Sequence, residues 1–223
     1  MVAGFASGIY GLRLWRQVRL LQTTLRRQRV FDDDFHSPRL GRYYYSYFPS
    51  YGQPEFHPPE VDEQGIPVND YRRKLLIRGV HERTYNPLTV SHWVLGAYDD
   101  WLREGDPRDY ELFLRRADWL VEHQAVRDGA GWWYYTVPWG PPYNVRPPWA
   151  SAMAQGFALS GLMRAWQETE NPAYRRAADL ALKSFEVSVE EGGIVSRDEW
   201  GNVFYEEVPS RPPHHILNGH ILA

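Results

Sequence analysis

With 223 residues and 26.1 kDa, of which 43% are apolar and 24% charged, the chain is long enough for one sizeable core and too apolar to be disordered or collagen-like. A net charge of −3 and a pI near 6.2 withhold the basic excess that phosphate backbones need, so nucleic acid is not an expected partner. Zero cysteines exclude disulfide scaffolds, thiolate metal sites and cysteine nucleophiles, and leave the redox compartment open.

In chain order, residues Met1–Val30 carry six Arg and no acid, with Leu14, Val18, Leu21 and Leu25 on one helical stripe. The segment reads as a basic amphipathic helix, either solvated or packed on a partner, or lying on a membrane surface. Arg13, Arg16 and Arg19 interrupt its apolar text, so neither a spanning helix nor a signal peptide is expected, and the reading favours a cytoplasmic or membrane-peripheral protein. Residues 31–84 are rich in Pro, Gly, Tyr and acid, including Pro49, Pro54, Pro58, Pro59 and Pro67, and read as irregular chain with short strands.

From Asn86 helical periodicity takes over. Pro87-Leu88-Thr89 opens a helix with Val90, Trp93, Val94, Ala97, Tyr98, Trp101 and Leu102 on one face, stopped by Gly105. Asp106-Pro107 caps a second, running to about Gln124; a third spans about Ser151 to Glu170; Asn171-Pro172 starts a fourth that runs to about Val189. The repeat of helical hairpins, with long segments Arg127–Pro148 and Glu191–His214 each holding a short β-hairpin, is the pattern of an (α/α) toroid whose long loops line one mouth. A further hairpin begins at His215–Ala223. The predicted fold is therefore mainly α: an incomplete (α/α) toroid over residues 85–223, preceded by the 31–84 segment and the 1–30 helix. Its open side calls for either a C-terminal continuation or a second copy of the chain.

Aromatic residues reach 15% and gather in Tyr43–Tyr51 (YYYSYFPSY), Trp132–Tyr135 (WWYY) and Trp139–Trp149. Such clusters suit sugar rings, whose C–H faces stack on aromatic planes; taken singly, each residue serves core packing equally well. In the extended segment Tyr205-Glu206-Glu207-Val208-Pro209 the two Glu side chains alternate, so one faces the mouth as a general base. Gln155, on the first turns of the third helix, is placed either to meet a sugar hydroxyl or to cap a buried backbone group.

The blocks WASAMAQG (149–156), YEEVP (205–209) and ILNG (216–219), preceded by NPLTVSHWVLGAYDDW and RRADWLVEHQ, resemble the carboxy-terminal domain of the heparosan glucuronyl C5-epimerase family. There WxSAMAQG, YEEYP and VLNG recur in the same order, and the resemblance covers about Tyr85 to Ala223. It implies an (α/α) toroid that binds a uronic-acid polysaccharide and inverts carbon 5 of glucuronate to give iduronate, without cofactor or metal. It places the catalytic glutamate on Glu207 and a substrate-binding Asn on Asn218. Val208, Tyr143, Arg146, Trp149, Gln155, Tyr205 and Arg211 complete the expected substrate-binding set, with Arg146 or Arg211 offering a bidentate fork to the uronate carboxylate. The family's opposite-face tyrosines belong to later hairpins that this sequence does not contain, so the residues present amount to half an acid/base apparatus.

Chemistry alone agrees with that assignment. The proton on carbon 5 lies α to a carboxylate, and its removal and return on opposite faces need two flanking acid/base groups. A uronate lyase on the same toroid, or a non-catalytic glycan-binding fragment, are the competing readings. His214, His215 and His220 lack the spacing that puts two imidazoles on one helical face, so no metal site is expected.

Overall fold

A computed structural model of the protein describes residues 36–43, 60–71 and 83–223. The helix expected over residues 1–30 and the cluster beyond Tyr43 lie outside the described residues. Within the unit Pro38–Ala223, local chemistry sets each helix start. In α1 (Pro87–Glu104) the Asn86 side chain accepts the Thr89 N–H, and Gly105 ends the helix at φ 71°, a left-handed conformation that glycine adopts without steric cost. Asp106 opens α2 (Pro107–Glu122), Ser151 opens α3 (Ala152–Thr169) and Asn171 opens α4 (Pro172–Leu182), each by accepting a first-turn N–H.

The fourth helix is shorter than its periodicity predicts. After Leu182 the chain tightens into 3-10 turns at Lys183–Glu186 and Val189–Glu191. The Ser184 hydroxyl donates to the Ala181 carbonyl, and a Cβ on Gly193 would lie 2.2 Å from the Val187 carbonyl oxygen, so the chain turns back on itself where the helix was expected to run on.

Antiparallel hairpins α1–α2 and α3–α4 pack side by side around one core. Val90, Val94, Ala97 and Tyr98 of α1 meet Phe113, Ala117 and Leu120 of α2, Ala158 and Leu162 of α3, and Tyr174, Ala177 and Ala181 of α4. The α1–α3 seam is close because Gly161 has no side chain: a Cβ there would sit 2.8 Å from Val94 Cγ1. Arg116 on α2 is buried and donates to the carbonyls of Gly65 and Trp93, pinning the preceding segment to the helices.

Among the described residues, strands are confined to that segment and to the long loops. β1 (Glu60–Val61), β2 (Pro67–Asp70) and β3 (Arg83–Thr84) form an antiparallel sheet in the order 1-2-3. Between α2 and α3, β4 (Ala125–Arg127) pairs with β5 (Ala130–Trp132), and β6 (Tyr134–Tyr135) with β7 (Trp149–Ala150). After α4, β8 (Val195–Arg197) pairs with β9 (Val203–Tyr205), and the short α5 (Leu217–Ile221) follows, with Leu217 and Ile221 exposed. The hairpins and the β-ribbons in their long loops are thus present as the repeat predicts.

Replacing Gly161 with Val forces the α1–α3 seam apart at a buried contact. We expect a loss of about 1–3 kcal/mol in urea unfolding, the usual range for overpacking; unchanged stability would show that the seam is not tightly packed.

Candidate active site

Helix N-termini gather at one end of the two hairpins. The Tyr135 hydroxyl is hydrogen-bonded by the Leu88 N–H, in the first turn of α1, and by the side chain of Ser151, the N-cap of α3. The Ala152 N–H, at the head of α3, donates to the Glu206 carbonyl at 2.9 Å. One residue further, Glu207 lies against Asn218 and Gly219 of α5. The segment carrying both acids therefore crosses the end where α1, α3 and α5 begin.

Glu206 and Glu207 have opposite surroundings. Glu206 is wholly buried, its Oε1 accepting the Ser196 hydroxyl at 2.6 Å with His215 Nε2 at 3.5 Å. Glu207 is half-buried, and Asn218 Nδ2 donates to its Oε2 at 3.2 Å. Desolvation pushes the Glu207 carboxyl above the ordinary carboxylate range, with the Asn218 hydrogen bond partly offsetting it. Space for this carboxyl comes from Gly219: a Cβ there would stand 2.3 Å from Glu207 Cβ and 2.7 Å from Oε2.

An aromatic wall stands beside the carboxyl. Tyr135, Trp149, Ala154 and Val208 are buried together, with Tyr143, Trp139, Val145 and Ile216 packed on them. Tyr135 stacks on Trp149 with centroids 4.0 Å apart and planes 8° apart. Burial pushes its phenol well above the usual range, and the charge of Glu207 adds to that effect. The sequence marks the WWYY cluster but does not distinguish Tyr135 within it; its position on the strand pairing with Trp149, directly before α3, is the feature that puts it beneath the site.

The remaining expected site residues divide. Tyr143, Trp149 and Val208 share the wall, and Tyr143 sets its edge against His214 at 4.8 Å. Arg146 is exposed on the loop between β6 and β7. Tyr205 turns elsewhere, its ring against Phe185 and its N–H donating to His220 Nδ1. Two expectations need correction. Gln155 does not reach the mouth: it is wholly buried, accepts the Trp133 N–H, and donates to the Gly131 carbonyl and Ser184 Oγ. It caps buried backbone. Arg211 turns its Nη2 onto the carbonyls of Val189 and Glu190, stapling the loop before α5 to a 3-10 turn instead of offering a fork to substrate. Among the described residues no group of three or more His, Asp or Glu is arranged to hold a metal ion.

Paired helical hairpins whose loops present a half-buried carboxylate beside an aromatic wall define the class: a helical-hairpin protein with a candidate site at the helix N-termini. Residues 127–223, somewhat less than half of this chain, match the family described as D-glucuronyl C5-epimerase C-terminus. Among individual relatives, a D-glucuronyl C5-epimerase of Caenorhabditis elegans is 39% identical over 117 residues, which is 50% of this chain and 18% of that protein. An uncharacterized protein of Methanocaldococcus jannaschii is 31% identical over 137 residues, 55% of this chain and 44% of that protein. The matched stretch thus spans less than half of each relative.

The raised Glu207 carboxyl has a consequence for stability. Between the ordinary carboxylate range and its folded value, the native state holds a proton that the unfolded chain releases. Native stability therefore falls as pH rises through that window. Glu207→Gln removes this penalty while keeping an oxygen for Asn218. We expect its melting temperature to exceed that of the parent at neutral pH, with the difference vanishing in acid below the ordinary carboxylate range.

Proposed function

We propose that the protein is an epimerase acting on polymeric D-glucuronate, inverting carbon 5 to L-iduronate. Glu207 is the base: its carboxylate removes the carbon 5 proton, the C–H electron pair moves into the adjacent carboxylate as an enediolate, and a proton returns to carbon 5 on the opposite face. The observation that carries this reading is the half-buried, raised-pKa Glu207 seated by Asn218 and Gly219 within the stretch that matches the epimerase family. A carboxylate made more basic by desolvation, yet open to the mouth, is matched to abstracting a weakly acidic proton.

In this reading the hairpins α1–α2 and α3–α4 are consecutive sectors of an (α/α) toroid and α5 begins the next. Arg146 pairs with the uronate carboxylate, and Tyr143 and Asn218 meet the sugar. The opposite-face donor lies outside the described residues, either in the Tyr44–Tyr51 segment or in a further portion of a longer polypeptide. The exposed Leu217 and Ile221 of α5 fit a face that such a portion, or a second copy, covers.

Exchange of solvent deuterium into carbon 5 of a glucuronate polymer tests the proposal. Glu207→Gln in the complete enzyme is expected to lower exchange by at least about 10²-fold, the lower end for loss of a general base, while polymer binding persists; Glu206→Gln is expected to cost much less. Appearance of an ultraviolet-absorbing unsaturated uronate would make the protein a lyase, and exchange that survives Glu207→Gln would remove Glu207 from the role of base.

A further inference from the structure

His215 is a half-exposed residue held at φ 49°, a left-handed backbone uncommon for a residue with a side chain. Its Nε2 lies 3.1 Å from Ser196 Oγ and 3.5 Å from Glu206 Oε1. The Ser196 hydroxyl already spends its one proton on Glu206 at 2.6 Å, so the proton between His215 and Ser196 sits on Nε2, and the imidazole donates toward the serine and the carboxylate behind it. Glu206 needs that donor. It is wholly buried and its Oε2 has no hydrogen-bond partner, so Ser196 and His215 supply the polar contacts that offset its desolvation. Phe204 packs against the same imidazole at 4.6 Å, and the Asp198 carboxylate at the β8–β9 turn lies within its electrostatic reach.

This contact sits at a point of mechanical leverage. Glu206 is fixed from behind, its N–H donating to the Ile194 carbonyl and its carbonyl accepting the Ala152 N–H. His215 stands three residues before Asn218, and the loop between Glu207 and α5 has these other ties: Val208 and Ile216 pack in the Tyr135–Trp149 cluster, Arg211 bonds Val189 and Glu190, and His214 meets Ser210 and Tyr143. Among the polar ties of this loop, the His215 contact is the nearest to Asn218 in the chain, next to the apolar packing of Ile216.

We propose that His215 and the buried Glu206 form a positioning pair that anchors the loop entering α5 and thereby holds Asn218 against Glu207. The pair does not touch substrate. Its functional meaning rests on Glu207 being the base; the positioning itself does not. The groups that face Glu207 are Asn218 and Gly219 from α5 and the Tyr135 phenol from β6, and of these Asn218 is the one the pair controls.

The test reads the Glu207 carboxyl directly, by carbon-13 NMR titration of glutamate-labelled full-length chain, and so needs no activity. Asn218→Ala removes the hydrogen bond that lowers the Glu207 pKa, so its midpoint moves up. His215→Asn is the probing variant, because Asn tolerates the left-handed backbone while its shorter side chain cannot reach Glu206. The midpoint is expected to move up by most of the Asn218→Ala shift, and the double variant by no more than Asn218→Ala alone. Ser196→Ala, a milder change to the same cluster, should shift it in the same direction by a smaller amount. A His215→Asn midpoint equal to the parent's, or additive shifts in the double variant, would overturn the proposal. Coupling without carbon 5 exchange would leave the positioning intact and defeat the epimerase reading alone.

Discussion

The hydrogen bond from the Ala152 N–H to the Glu206 carbonyl, 2.9 Å long, fixes where the Glu206–Glu207 segment crosses the helix ends. A helix begins with N–H groups that have no intrahelical partner, and those of a buried helix must be met by something. At α3 the Ser151 side chain meets one and the backbone of Glu206 meets another. The segment after β9 is therefore attached to the end of a helix that is itself locked to α1 through Gly161 and Val94. Helix packing thus sets the position of the backbone from which Glu207 emerges, and small residues deep in the seam bear on a carboxylate at the surface.

The two adjacent glutamates show how burial sorts identical side chains. Glu206 turns inward, where Ser196 and His215 bond it, and there it serves the architecture. Glu207 turns outward and stays half-buried, where one amide holds one of its oxygens and partial desolvation raises its pKa. Full burial of Glu207 would close it to a substrate, and full exposure would leave it an ordinary weak carboxylate base. The intermediate state depends on Gly219, because any side chain on that turn of α5 would occupy the space of the carboxyl.

Much of the fold is legible because its signals are local. The Asx-Pro pairs at Asp106-Pro107 and Asn171-Pro172 carry their own capping chemistry, and the observed α2 and α4 begin where those pairs place them. The third helix, expected over Ser151–Glu170, spans Ala152–Thr169, since Ser151 as cap and a left-handed Glu170 bound it. What periodicity cannot show is set by contacts between distant residues. Gln155 looks like a mouth residue from its place on the first turns of α3, but Trp133, Gly131 and Ser184 converge on it and turn it into a buried bracket. Arg211 bonds carbonyls about twenty positions earlier, and His215 meets Glu206 only because a left-handed backbone brings its ring round. Neither a motif nor a spacing contains that information.

Among the described residues, the aromatic clusters that first suggest sugar stacking are mostly spent inside the fold. Trp132, Trp133, Trp149 and Tyr135 are all nearly or wholly buried, and the indole N–H groups of Trp133 and Trp149 donate to the carbonyls of Leu120 and Val137. Rings with no exposed face cannot stack on a glycan. They can make the ground beneath Glu207 dry, and a dry, rigid wall lowers the local dielectric and shields the carboxyl from water. Of the expected contacts, Tyr143, Arg146 and Asn218 are the ones the described residues leave outside the core at this end of the hairpins. The division of labour follows from that distribution: the buried aromatics tune the acid, and a sparse polar rim remains around it.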